Sequence, residues 1–211
     1  MTDPSRPRPL CVKVCGITCA EDAAAAVEAG ADLLGFNFCT ASPRYLAPAE
    51  AAPIVAQLPR HVLAVGIFVD AEADEVRRVV ETAGVALAQF HGDEDPEFCR
   101  AFAVPAIKAL RVRTLGELAA RATAYLDGWV LVDTADPRHH GGTGRALPLD
   151  AVPAAVARRL FVAGGLLPET VAEVVRTLRP LGVDVCSGVE SRPGRKDHDR
   201  LRSFVRHAKA A

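Results

Sequence analysis

A single (β/α)8 TIM barrel, of the α/β class, is the architecture this chain predicts, and three observations predict it. Short β-branched runs alternate with Ala-rich stretches of helical period along the sequence. The alternation occurs eight times, and eight parallel strands each followed by a helix close into a barrel. The 211 residues, 50% of them hydrophobic, suffice for one well-packed domain and sit near the lower end of the roughly 200 to 400 residues of such barrels. A doubly wound open sheet is the alternative, but where such sheets carry a glycine fingerprint after the first strand, this chain reads CGITCAED.

The elements follow in order. LCVKVCG precedes a helix over 20–30, LLGFNF one over 47–58, VLAVGIFVD one over 71–83, and VALAQFHG one near 95–102. VPAIKALRV leads to 114–124, and GWVLVDT to a long loop and a helix near 149–158. RLFVAGG then leads to 168–178, and VDVCSGV to the terminal helix near 197–209. The Pro- and Arg-rich residues 1–9 read as a disordered tail ahead of one catalytic barrel domain over 10–211.

Composition narrows the function classes. With 25 basic against 26 acidic residues the net charge is -1, which gives no footing for nucleic acid and leaves a small-molecule substrate. The tail has no apolar signal core, and no run reaches the ~18 apolar residues of a membrane span, so the expected location is cytoplasmic, away from any membrane. Six cysteines, at 11, 15, 19, 39, 99 and 186, lack the spacings of a disulfide framework or a zinc site and read as reduced thiols. The run Cys11, Cys15, Cys19 invites an iron-sulfur cluster, against which Cys11 and Cys15 fall in a strand and Cys19 at a helix start.

In a barrel, chemistry sits where strands end. Lys13 and Cys15, two apart on the first strand, share a face and are expected to look into the mouth. A neighbouring ammonium favours the thiolate and makes a usable base; taken alone, packing as a small hydrophobe is the favoured reading of Cys15. Asp133 ends the sixth strand across the mouth. As a general acid it needs a buried carboxyl that keeps its proton, and plain backbone capping is the alternative.

Three glycine turns, GGTG at 141–144, AGG at 163–165 and SG at 187–188, offer backbone amides to a phosphate, and ordinary turn chemistry explains any one of them alone. Arg44 in CTASPRYLAP has a planar fork that can grip a carboxylate or simply lie in solvent. His91 ends the fourth strand and faces the pocket, while His139 and His140 lack a third ligand for a metal, so no metal is expected.

The motifs KVCGIT at 13–18, GFNF and SPRYLAP within 35–48, QFHG at 89–92, LVDT at 131–134, GGTG, VAGGLLPETV at 162–171 and DVCSGVESRPGRKD at 184–197 come in a dense, fixed order. In that order the chain resembles the phosphoribosylanthranilate isomerase family over about residues 10–205. The resemblance implies Cys15 as general base, Asp133 as general acid, and Arg44 on the anthranilate carboxylate. It places the sugar phosphate at Gly142, Thr143, Gly144, Gly165, Ser187 and Gly188, with Lys13, His91 and Asp184 lining the pocket. It further implies a cofactor-free Amadori rearrangement in tryptophan biosynthesis. Cys186 stands where the family usually has serine, and Thr170 where asparagine is common.

Three rivals stand beside this reading. A related aminosugar isomerase of histidine biosynthesis is expected to use two aspartates and two similar half-barrels, and no such repeat is found here. A non-catalytic barrel sensing a phosphorylated ligand needs no facing acid and base. A thiol redox protein gives Cys11 and Cys19 the weight of Cys15. The surface helices suit a monomer or a homodimer.

Overall fold

The computed structural model describes residues 9–112, 115–125, 128–133 and 154–211. Strands β1 (Cys11–Cys15), β2 (Leu33–Asn37), β3 (Leu63–Phe68), β4 (Leu87–Phe90), β5 (Ala106–Arg111), β6 (Trp129–Asp133), β7 (Leu160–Ala163) and β8 (Gly182–Val185) lie side by side in chain order. All pair in parallel, and β8 returns to β1 to close the barrel. The helices between them are α1 (Ala20–Ala29), α2 (Pro48–Val55), α3 (Ala73–Ala83), α4 (Pro96–Arg100), α5 (Leu115–Ala122), α6 (Ala154–Ala157), α7 (Val171–Leu178) and α8 (His198–Lys209). The TIM barrel expected from the alternation is the observed fold. Of the expected helix over 149–158, only α6 falls within the described residues, and of the expected tail only Pro9 does. Among the described residues no helix is long and apolar enough to cross a membrane.

Two apolar layers follow from strand alternation. Outward residues such as Val12, Val14, Leu34, Phe36 and Val183 pack under the helices. Inward residues Leu33, Val65, Leu87, Ile107, Leu131 and Phe161 fill the barrel itself. Phe161 requires a glycine opposite it on β8: a Cβ on Gly182 would run into the Phe161 ring and stand 2.6 Å from the Cys11 carbonyl oxygen. That packing carries β8 one residue earlier than the β-branched run alone predicts.

A charged tie secures the turn after β4. Lys108, outward on β5, is fully enclosed and donates to Glu94 at 2.7 Å and to the Gly92 carbonyl at 2.7 Å. The Glu94 carboxylate also accepts from the amides of Asp70 at 2.9 Å and Gly92 at 3.0 Å, so one side chain joins the ends of β3 and β4 to β5. Removing one partner strands the other charge in a dry site, and Glu94→Ala is expected to cost about 3–5 kcal/mol in urea unfolding. Lys108→Ala should cost a similar amount, and the double variant clearly less than the sum. Simple additivity would show that the two groups do not act together.

A short hairpin, β9 (Glu190–Arg192) and β10 (Arg195–Lys196), leaves the end of β8 and was not expected. Its Pro193–Gly194 turn, with Gly194 at φ 77°, is the local signal for it. Asp197 then caps α8 by accepting from the amides of Asp199 and Arg200.

Candidate active site

The β1–β8 seam builds one wall of the barrel mouth. Lys13 pairs in register with Asp184, and the Lys13 Nζ donates to Asp184 Oδ1 at 2.9 Å. Lys13 is fully enclosed, a layer beneath the opening, so it acts on the mouth through its charge and does not line it as expected. Burial works against that charge, but Asp184 and Cys15 more than restore it and hold the Lys13 ammonium above its ordinary range. Asp184 is at the edge of this wall and does line the mouth.

Cys15, two residues along the same face, lines the mouth with Asn37, Ile67, Gln89, His91 and Asp133. A hydrogen bond from Cys186 outweighs the effect of burial, and with the charges of Lys13 and Lys196 it draws the Cys15 thiol down to about 6. The same bond, with burial, pushes the Cys186 thiol up. A thiol in this state is able to take up a proton at neutral pH.

Lys196 and Glu190 belong to this wall and were missed in the sequence. From the hairpin, Lys196 reaches back under the mouth and donates to the Cys15 carbonyl at 2.6 Å and to Glu190 Oε1 at 3.0 Å. Burial disfavours the Glu190 carboxylate, but Arg44 and Lys196 hold it down to about 2. Arg44 does form the expected fork, yet onto the protein's own carboxylate: Nε and Nη2 meet Glu190 at 2.8 and 2.7 Å. The fork is therefore taken up by Glu190, and among the described residues Nη1 has no hydrogen-bond partner. Lys13, Lys196 and Arg44 against Asp184 and Glu190 leave this wall one positive charge in excess. That excess favours an anion, whether the Cys15 thiolate or a bound acid.

The facing wall carries Asp133 at the end of β6, its side chain 30% exposed. This is more open than the enclosed carboxyl expected of a general acid. His91 Nε2 stands 3.9 Å from Asp133 Oδ2, and Gln89 Nε2 is 3.3 Å from His91 Nδ1. Burial lowers His91 below the ordinary imidazole value despite the charge of Asp133, which leaves a neutral ring. The buried Gln89 Oε1 has no hydrogen-bond partner among the described residues.

The expected phosphate rim is present in part. Gly165, Ser187 and Gly188 line the mouth after β7 and β8. Gly165 has φ 63°, a conformation that favours glycine. A Cβ on Gly188 would run into the Leu166 carbonyl, so the two rim loops approach as closely as backbone allows. Gly142, Thr143, Gly144, His139 and His140 lie outside the described residues. Among the described residues no three His, Cys, Asp or Glu side chains gather as a metal site. Cys11 sits at the floor end of β1, a strand length of about 13 Å from Cys15 at ~3.3 Å per residue, so Cys11, Cys15 and Cys19 do not converge.

An ionisable thiol facing a carboxylate at the C-terminal mouth of a TIM barrel, beside a glycine rim, defines an acid-base enzyme of the phosphosugar-barrel class. The sequence profile of N-(5'phosphoribosyl)anthranilate (PRA) isomerase matches residues 12–207. The chain belongs to this family. It is 48% identical over 202 residues to the N-(5'-phosphoribosyl)anthranilate isomerase of Trichlorobacter lovleyi, covering 95% of this chain and 98% of that one. It is 46% identical to that of Geobacter sulfurreducens over 94% of this chain and 98% of the relative. The crystal structure of phosphoribosyl anthranilate isomerase from Thermotoga maritima superposes with a TM-score of 0.86 at 38% identity, covering 96% of this chain and 100% of that one. A phosphoribosyl anthranilate isomerase in complex with reduced 1-(o-carboxyphenylamino)-1-deoxyribulose 5-phosphate matches with a TM-score of 0.83 at 36% identity, covering 96% and 100%.

Proposed function

We propose that Cys15 and Asp133 carry the reaction of this chain, the isomerisation of N-(5'-phosphoribosyl)anthranilate to 1-(2-carboxyphenylamino)-1-deoxyribulose 5-phosphate in tryptophan biosynthesis. The observation that supports these roles is the Cys15 thiol, drawn to about 6 and lining the same mouth as Asp133. Asp133 gives a proton to the ribose ring oxygen and the ring opens to an imine. The Cys15 thiolate then takes the proton from C2, and the resulting enolamine tautomerises to the ketone. Only protons move, which two side chains can manage.

The remaining contacts follow from the charges of the wall. The anthranilate carboxylate lies against the Nη1 edge of Arg44. The phosphate takes backbone amides around Gly165, Ser187 and Gly188, with the turn of Gly142, Thr143 and Gly144 as its further partner. The protein works in the cytoplasm, as a monomer or a homodimer.

The test is the pH dependence of turnover, followed by the loss of substrate fluorescence. A base is active when deprotonated, so kcat/KM should rise with pH through a limb near 6, falling roughly tenfold per unit below it. Cys186→Ala removes the hydrogen bond that lowers Cys15, and the limb should move to higher pH. A wild-type limb at the ordinary thiol value near ~8.5, or one that ignores Cys186, would count against Cys15 as the base.

A further inference from the structure

We propose that Cys15 and Cys186 are a redox pair, closing to a reversible disulfide that switches the active site off under oxidising conditions. The pairing comes from the barrel's closing seam. β1 and β8 are parallel with Val14 beside Val185 as the last pair, the next residue of each chain segment is one of the two cysteines, and both of their carbonyls accept from Lys196 Nζ, at 2.6 and 3.3 Å. Side chains alternate along a strand, so the two cysteines share the inward face of Lys13 and Asp184, whose own side chains already meet at 2.9 Å. Both cysteines line the open mouth. Neighbouring strands lie about 4.7–4.9 Å apart, inside the ~4.4–6.8 Å between Cα atoms that a disulfide spans.

The Cys186 sulfur also reaches across to β1. A Cβ placed on Gly16 would stand 3.0 Å from Cys186 Sγ, which puts that sulfur over the end of β1, where it donates to Glu190 Oε1 at 3.7 Å. The other four cysteines have no such neighbour: Cys11 is at the barrel floor and Cys99 is buried within α4, while Cys19 and Cys39 sit in the loops after β1 and β2.

Hydrogen peroxide is an oxidant of the required class. The Cys15 thiolate attacks one peroxide oxygen, the O–O bond breaks, and the other oxygen leaves as hydroxide, so sulfur loses two electrons and peroxide gains them. Cys186 then attacks the sulfur of the new sulfenic acid. The S–O bond breaks, the departing hydroxide takes the Cys186 proton and leaves as water, and the S–S bond forms. Two thiols and one peroxide become one disulfide and two waters, and a dithiol reverses the exchange. The cationic wall that keeps Cys15 ionised for proton transfer also makes it the nucleophile in the first step. The loss of activity rests on the reading of Cys15 as the base, since a disulfide sulfur takes up no proton.

The test exposes the reduced full-length protein to hydrogen peroxide, then measures turnover and maps alkylated peptides by mass spectrometry. The expected product is two hydrogens lighter, links the peptides of Cys15 and Cys186, has lost most of its turnover, and recovers with dithiothreitol. Cys186→Ser, judged against its own reduced activity, should instead pass to the sulfinic acid at Cys15 and fail to recover. Oxidation of wild-type Cys15 to sulfinic acid with Cys186 still open to alkylation would overturn the pairing and leave the catalytic reading intact. A linked pair that keeps its turnover would overturn the switch and the role of Cys15 as base together.

Discussion

Cys15→Ser is expected to lower kcat by about 10²–10⁴-fold, the usual contribution of a general base. The substitution keeps the size of the side chain and a hydrogen-bonding hydroxyl beside Cys186, so the fold and the substrate pocket are preserved. What it removes is ionisation: the Cys186 hydrogen bond with the charges of Lys13 and Lys196 can bring a thiol to about 6, but an alcohol starts far too high for the same groups to ionise it at neutral pH. Because the base is needed only while C2 loses its proton, the loss belongs in kcat, with KM little changed. The limb near pH 6 should disappear with it. Steady-state kinetics across pH 5 to 8 read both effects, and a folded variant within about tenfold of wild type would remove Cys15 from the chemistry.

Asp133→Asn should be about as severe, again about 10²–10⁴-fold in kcat. The amide keeps the shape of the carboxylate and can still meet His91, 3.9 Å away, but it has no proton to give the ribose oxygen. The informative companion measurement is binding of reduced 1-(o-carboxyphenylamino)-1-deoxyribulose 5-phosphate by calorimetry. Its affinity should survive in both variants, because the proposed holds on its phosphate and carboxylate, the rim and Arg44, are untouched. Affinity that falls as far as turnover would instead give Asp133 a binding role. Tight binding with no wild-type turnover would make the barrel a sensor.

The two proposed catalytic groups were legible in the sequence because barrel topology alone restricts where they can be. Strand alternation located the end of β1 and the end of β6, and those positions hold Cys15 and Asp133. The wall around Cys15 was far less legible. Lys13 and Asp184 lie 171 residues apart and meet only when β8 closes onto β1. Nothing local says that Arg44 turns its fork to Glu190, since that choice is made by a carboxylate 146 residues away. Lys196 sits on a strand of two residues, too short for any period, and Pro193–Gly194 is its one local sign. Lys108 interrupts the apolar run of β5 because its partner Glu94 comes from the loop after β4, an arrangement that strand patterning does not anticipate.

The packed floor has a consequence for traffic. Phe161, seated against Gly182, and the inward layer around Leu33 and Leu131 fill the barrel beneath the mouth. Among the described residues there is no passage along the axis, so substrate and product use the same door. Each product molecule must clear the threshold before the next substrate crosses it, and the two therefore compete for one vestibule. The rate of departure then sets how soon the site is offered again.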